Sequence, residues 1–258
     1  MPFLIAQPRN GTEIRAIIIA ANELGWDVYE APSGWRLEQD LLTSGKVGVP
    51  YGSQTFCEVI SQQMGWTLRF NPLDWLAKID PKYLQRDVQF MTLAEAKKLK
   101  ETKFIKPADD KVFPAAVYPP STLDNDKQYS LLWSVHEIIP PDSPTLVSDV
   151  VTFVSEYRCF VRDQKVITCS CYLMRGEINN PRNWEKGADE VVTYLNDALA
   201  DSVRSEPAVI DVGILPDGTK AIIESNQAWA SGIYGCDLAG VLEVLEASCY
   251  IQEHNGKS

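Results

Sequence analysis

Two apolar runs flank a tight turn in the last quarter of the chain, and they constrain the fold more than any other feature. Val209 to Leu215 and Lys220 to Ser225 are joined through Pro216-Asp217-Gly218, a combination that presets a reversal of direction. The two runs therefore read as antiparallel strands of one hairpin. Asp211 lies on the first arm and Glu224 on the second, so closing the turn sets two carboxylates side by side. Asn226 follows two residues later and, at the two-residue period of a strand, shares the face of Glu224. The neighbours Val209, Ile210, Ile222 and Ile223 are apolar, which predicts a buried hairpin from which the acids emerge. A buried carboxylate without a cation is costly. Two carboxylates and a carboxamide oxygen are hard donors of the kind that hold Mg²⁺ jointly with phosphate oxygens. The alternative is a hairpin whose acids point to water.

Upstream, the chain changes texture near residue 100. Residues 1–100 alternate short apolar runs with helical patterns. Phe3-Leu4-Ile5-Ala6 reads as a strand, Ile14, Ile17, Ile18, Ala21 and Leu24 recur at helical spacing, and Gly25 ends that helix before a strand at Trp26 to Tyr29. Ser53 is placed to cap a helix running to about Met64, Gly65 to end it, and Thr67 to Phe70 to form a further strand. This predicts a small α/β domain with a parallel sheet. Residues 101–258 read instead as a mainly antiparallel α+β domain. Its strands are expected at Lys103 to Lys106, Val112 to Tyr118, Tyr129 to Ile139 and Thr145 to Val154. A long hairpin (Ser155 to Val161, Lys165 to Met174) follows, and helices at Trp184 to Val203 and Cys236 to Ser248 flank the metal hairpin.

Charge and cysteine content exclude several function classes. With 35 acidic against 24 basic residues the chain carries a formal charge of −11, which disfavours non-specific gripping of nucleic acid. The lysines at 97, 98 and 100 read as a solvated segment. The six cysteines include no C-x-x-C pair and have only His136 and His254 for company, so they read as buried reduced thiols, not a zinc site. His136 reads as structural. The longest aliphatic stretch, Ala16 to Ala21, is too short to span a bilayer, and the first residues lack a secretory pattern; the expected location is cytoplasmic.

Three landmarks in order resemble the ATP-grasp superfamily over about Thr102 to Leu238: the Asp211…Glu224-x-Asn226 hairpin, Phe104-Ile105-Lys106-Pro107, and Leu146 to Glu156. The resemblance implies an α+β ATP-grasp fold, antiparallel-sheet lobes around an ATP cleft, preceded by a small α/β domain. It implies ATP and Mg²⁺ as cofactors, with the metal on Asp211, Glu224 and Asn226 and the α- and β-phosphates on Lys106. Leu146 to Glu156 would be the hinge between lobes, with Asp149, Val150 and Thr152 at adenine and Glu156 on the ribose. Read from its own pattern, Arg158 shares a strand face with Glu156, either as an exposed ion pair or as a cation meeting the γ-phosphate or a developing acyl-phosphate. The stretch Pro107 to Pro114 lacks the glycines many such enzymes carry, which leaves Lys111 to supply charge there. Ala208-Val209-Ile210 stands where amino-acid ligases of the superfamily carry an acceptor-gripping arginine. Trp229, Ser231-Gly232, Tyr234 and Arg175 are candidates for the acceptor side.

The reaction that the resemblance implies is ligation of a carboxylate to an amine or related nucleophile through an acyl-phosphate. No Ser-His or Cys-His arrangement is evident, and none is required. The acceptor, a small molecule or a peptide, is not named by the residues. Two other readings stay open: a non-catalytic ATP-binding assembly or regulatory module, and a nucleic-acid-modifying ligase or kinase suggested by the lysine cluster.

Overall fold

The computed structural model describes residues 1–8, 11–109, 112–120, 139–178 and 187–251. Strand β1 (Phe3–Ala6) is four buried apolar residues. Helix α1 (Thr12–Glu23) buries Ile14, Ile17, Ala20 and Ala21 at helical spacing. Strands β2 (Asp27–Glu30) and, beyond the short helix α2 (Gln39–Leu42), β3 (Val49–Tyr51) flank β1, both in parallel register. The parallel sheet expected from the alternation is present. Helix α3 (Gln54–Met64) starts at Ser53, whose hydroxyl accepts the Phe56 amide, and stops at Gly65 in a left-handed conformation (φ 67°), which a residue without Cβ adopts freely. Strand β4 (Trp66–Leu68) ends two residues before the expected Phe70.

A four-stranded antiparallel sheet follows, in the order β5-β8-β6-β7. It comprises β5 (Val88–Thr92), β6 (Lys103–Pro107), β7 (Ala116–Tyr118) and β8 (Pro144–Ser148), with the short helix α4 (Leu93–Ala96) after β5. The sheet thus draws its first strand from before residue 101. Ile105, Tyr118 and Val147 pack with Leu93 and Phe113 in a small core on one face, while alternation directs Phe104, Lys106 and Leu146 to the other. The strand expected from Val112 begins only at Ala116, past Pro114, which cannot donate to a ladder. Lys98 and Lys100 lie exposed beyond α4, as expected. Most of the strand expected over Tyr129 to Ile139 lies outside the described residues, as do His136 and Lys111.

The second lobe is a five-stranded antiparallel sheet in the order β11-β10-β9-β12-β13. Its strands are β9 (Ser155–Arg162), β10 (Lys165–Met174), β11 (Glu177–Ile178), β12 (Ala208–Ile214) and β13 (Lys220–Gln227). Helix α5 (Ala188–Asp201) covers one face, burying Val191, Leu195 and Leu199 against Cys159, Ile210, Val212 and Ile222. Helix α6 (Leu238–Ala247) shares the opposite core, where Phe160 and Val209 meet Leu4, Ile5 and Val241. The N-terminal sheet and this lobe are therefore welded by one apolar core, and strand β14 (Cys249–Ile251) adds an antiparallel pairing with β4. All six cysteines are free thiols and five are buried, which agrees with their expected role.

The segment between Ser148 and Ser155 crosses from one sheet to the other. The strand expected to run from Thr145 to Val154 is therefore broken at Asp149. Lys103 donates to one oxygen of the Asp149 carboxylate (2.8 Å) and the Asp87 amide to the other (3.0 Å), so the first residue of the crossing is pinned.

Candidate active site

The hairpin forms as expected, but its register holds a surprise. Pairing runs outward from the turn as Ile214 with Lys220, Gly213 with Ala221 and Val212 with Ile222, and then jumps to Asp211 with Glu224. Ile223 is the extra residue of a β-bulge. In unbroken register Ile223 would face Asp211, and Glu224 would lie opposite Ile210 in the apolar core beneath α5. The bulge turns Glu224 and then Asn226 onto the face of Asp211. Because a one-residue slip moves every later side chain to the other face, this bulge creates the carboxylate pair.

Each carboxylate has a cation. Arg158 grips Asp211 with both ends of its fork, Nε to Oδ1 at 3.0 Å and Nη2 to Oδ2 at 2.8 Å. Its Nη1 donates to the Gly232 carbonyl at 3.1 Å. Asp211 is 1% exposed and Arg158 8%; the pair is buried, and the solvated-face readings of both residues fail. The guanidinium also lies against the rings of Tyr234 (4.7 Å to the centroid) and Tyr172 (5.3 Å), which stack on each other. Glu224 is ion-paired to Lys106 and accepts a hydrogen bond from Asn226 Nδ2 at 2.8 Å. Among the described residues no arginine pairs with Glu156; it accepts from the Tyr172 hydroxyl at 2.6 Å.

Two adjoining cavities meet at Lys106 and Glu224. One, of about 440 Å³, lies between the sheets behind the crossing segment. Phe104, Val117 and Leu146 face Leu173 and Ile223 across it, and Asp149, Val150, Thr152 and Glu156 are on its rim. No backbone hydrogen bond among the described residues occupies the amides of Val150, Val151 or Thr152. The slot thus offers apolar walls and free peptide groups at its back, which is what a planar heterocycle with polar edges requires. Gly213 makes the crossing possible, since a Cβ there would stand 2.2 Å from the Phe153 ring. The other cavity, about 750 Å³, extends past Arg158 and Asn226 to Phe70, Trp75, Phe113, Ser231 and Tyr234.

Burial pushes Asp211 up to about 6 against the pull of Arg158. Burial also works on Glu224, but there Lys106 and Asn226 outweigh it and hold the acid down at about 2. The sign of the second shift gives a prediction. An acid held below its unfolded value stabilises the fold above that value, and the contribution disappears as pH falls through the folded one. Wild type is expected to lose on the order of 2 kcal/mol more than Glu224→Gln between about pH 5 and 2.5. Urea titrations of both proteins across that window measure it, and parallel curves would show that Glu224 carries no such coupling.

Two of the three expected donors are open to Mg²⁺. Glu224 and Asn226 both line the larger cavity with hard oxygens, whereas Asp211, the register neighbour of Glu224, is 1% exposed, gives both oxygens to Arg158 and lines neither cavity. Among the described residues no three His, Cys, Asp or Glu side chains form a ready-made metal cage; phosphate oxygens would have to complete the coordination.

The family model described as ATP-grasp domain, clade family 2, matches residues 83–244, more than half of the chain. The chain belongs to this ATP-grasp family. Solved structures with the same fold include D-cycloserine synthetase DcsG, with 12% identity, a TM-score of 0.53 and coverage of 95% of this chain and 98% of that one. A RimK domain protein ATP-grasp from Sphaerobacter thermophilus DSM 20745 has 12% identity, a TM-score of 0.52 and coverage of 96% and 97%. D-alanine–D-alanine ligase from Bacillus anthracis has 14% identity, a TM-score of 0.50 and coverage of 96% and 97%. At these identities the likeness is one of fold. No curated protein matches the sequence.

Within this ATP-grasp chain, three residues in or beside the cleft have no sequence signal of their role. Tyr172 links Glu156 to Arg158. Asn71 is buried and ties the linker after β4 to Ser205 (3.0 Å) and Ser225 (2.9 Å); only its position before Pro72 marks a turn. Arg86, in the wall of the smaller cavity, is one basic residue among many. Among the described residues no helix is long and apolar enough to cross a membrane.

Proposed function

We propose that this ATP-grasp protein is an ATP- and Mg²⁺-dependent ligase that joins a carboxylate to an amine or related nucleophile through an acyl-phosphate. The observation that supports this reading is the junction of the two cavities at Lys106–Glu224, beside Arg158–Asp211. A nucleotide base fits the apolar slot, with the backbone of Val150 to Thr152 at its edge and Glu156 beside the ribose. Its phosphates would then run past Lys106 toward the larger chamber. Glu224 and Asn226 would hold Mg²⁺, with Asp211 joining them only through an oxygen shared with the Arg158 fork; the ion would supply charge neutralisation on phosphate oxygens.

The two ion pairs suit this role because their charges cancel without ligand. An arriving phosphate chain can draw Lys106 away from Glu224 and free that carboxylate for a divalent cation, so the site exchanges partners with little net change in buried charge. Arg158 uses three of a guanidinium's five N–H donors. The two that remain can meet the transferring phosphoryl group while the fork stays on Asp211. A substrate carboxylate oxygen in the larger chamber attacks the γ-phosphorus and ADP departs. The second substrate's lone pair then attacks the acyl carbon and phosphate leaves. Tyr234, Ser231 and Trp75 line the chamber where an acceptor, small molecule or peptide, would sit.

Lys106→Ala is expected to weaken ATP binding by about tenfold or more while changing adenosine binding by less than about twofold, since the ammonium would touch phosphate only. Titration calorimetry with both ligands checks it; equal losses would show that Lys106 serves the fold and not the phosphates. Product mass spectrometry after incubation with ATP, Mg²⁺ and a metabolite extract tests the reaction class. Nucleotide binding without turnover under every acceptor condition would favour the non-catalytic module.

A further inference from the structure

The β13 bulge needs something to hold it. Among the described residues strand β13 is the edge of its sheet, with no partner strand on one side. In a regular strand successive carbonyls point to opposite sides. Here Arg86 donates from Nη1 to the Ile222 carbonyl (2.8 Å) and from Nη2 to the Ile223 carbonyl (2.9 Å). Two consecutive carbonyls therefore face one guanidinium, the arrangement that a bulge produces and a straight strand forbids. Nη1 also donates to the Leu84 carbonyl at 2.9 Å, which stiffens the side chain at its own root. Gln85, immediately before, has φ 54°, a left-handed conformation that few non-glycine residues adopt. The Tyr194 hydroxyl holds the Tyr83 carbonyl at 2.9 Å, so the segment that delivers Arg86 is anchored on α5. Finally, the guanidinium lies 5.9 Å from the Phe153 ring centroid, in the crossing between the lobes.

We propose that Arg86 is a positioning residue: its planar fork locks the bulge at Ile222–Ile223 and thereby aims Glu224 and Asn226 into the cleft. Its effect on metal binding rests on the reading of those two residues as Mg²⁺ ligands; its effect on the strand does not. A lysine cannot replace it, because one ammonium on a flexible stem does not span two carbonyls in a fixed plane. Loss of the fork leaves two edge carbonyls without their donor. The strand can then relax toward regular register, in which Glu224 faces Ile210.

The test compares Arg86→Met, Arg86→Lys and Glu224→Gln. Crystal structures of the two Arg86 variants read the strand directly. The bulge is expected to move or vanish in Arg86→Met and to be distorted in Arg86→Lys, with Glu224 no longer opposite Asp211. If either variant keeps the wild-type register and Glu224 direction, the proposal is overturned. Should Arg86→Met fail to fold, Arg86→Lys alone decides. The second readout is the Mg²⁺ concentration that half-saturates binding of a non-hydrolysable ATP analogue, set beside adenosine affinity, which Arg86 can also affect because it lines the smaller cavity. Arg86→Met is expected to raise the half-saturating Mg²⁺ concentration by about tenfold or more and Arg86→Lys by a smaller factor, as for residues that orient metal ligands, in each case by a larger factor than adenosine affinity falls. Equal losses in the two readouts, or no change in either, would overturn the proposal. If Glu224→Gln leaves the Mg²⁺ dependence unchanged, the metal reading fails, and the crystal structures still decide the role of Arg86.

Discussion

Arg158→Met is expected to cost about 3–5 kcal/mol of folding stability, because it strands a carboxylate that water cannot reach. Asp211 is 1% exposed and gives both oxygens to Arg158. Removing the guanidinium leaves that charge unpaired beside Glu224, so Asp211 must either bind a proton or stay ionised at high cost. The loss should therefore shrink as pH falls and Asp211 protonates, whereas the loss from a vacated volume would not follow pH. Arg158→Met with Asp211→Leu should recover most of the stability, since an apolar pair of similar size replaces a buried ion pair at little penalty. Arg158→Lys separates fold from chemistry: it keeps the charge and loses the fork, so kcat is expected to fall at least about tenfold, roughly 1.4 kcal/mol, with little change in ATP affinity. Urea unfolding at two pH values and a phosphate-release assay measure these effects. A single Arg158→Met variant as stable as wild type would show that the pair is solvated in solution.

How much of this site is legible depends on sequence distance. The hairpin reads to within a residue or two at each end, because turn chemistry and apolar alternation are both local signals. The bulge does not. Counting back from Pro216-Asp217-Gly218 pairs Asp211 with Ile223, and only the observed register shows the extra residue. What holds it comes from Arg86, 136 residues before Ile222, and no local pattern reports so distant a donor. Arg158 is similar. Alternation places it correctly on the face of Glu156, but its partner is Asp211 on the adjacent strand β12, and strand adjacency is a tertiary fact. The hinge reads as one long strand because Val147, Val150, Val151, Phe153 and Val154 form an almost continuous apolar run. The break falls at Asp149, whose carboxylate is held by Lys103 and the Asp87 amide. Phe153 then packs its ring on the bare backbone of Gly213 and not on a strand neighbour.

Glu224→Gln is expected to lower ATP turnover by about 100-fold or more, roughly 2.7 kcal/mol, the scale on which a metal stabilises developing charge. The substitution keeps volume and shape, so it does not open a cavity. It removes the partner of Lys106 and the charge that would hold Mg²⁺. The fold should survive, because Glu224 faces the cleft with its side chain 29% exposed, unlike Asp211. The cost to stability at neutral pH should stay on the order of 2 kcal/mol, the same coupling that the acid titration reads. Asn226→Ala should lower turnover less, by about tenfold, since a neutral carboxamide offers a weaker donor than a carboxylate. Raising Mg²⁺ should restore part of the activity of Asn226→Ala but little of Glu224→Gln, because excess metal can repopulate a weakened site and cannot replace a missing charge. Turnover measured across Mg²⁺ concentrations, beside thermal melts of each variant, separates the two effects. Wild-type turnover in both variants would remove the hairpin from the metal and leave Lys106 and Glu224 as a lobe-to-lobe ion pair alone.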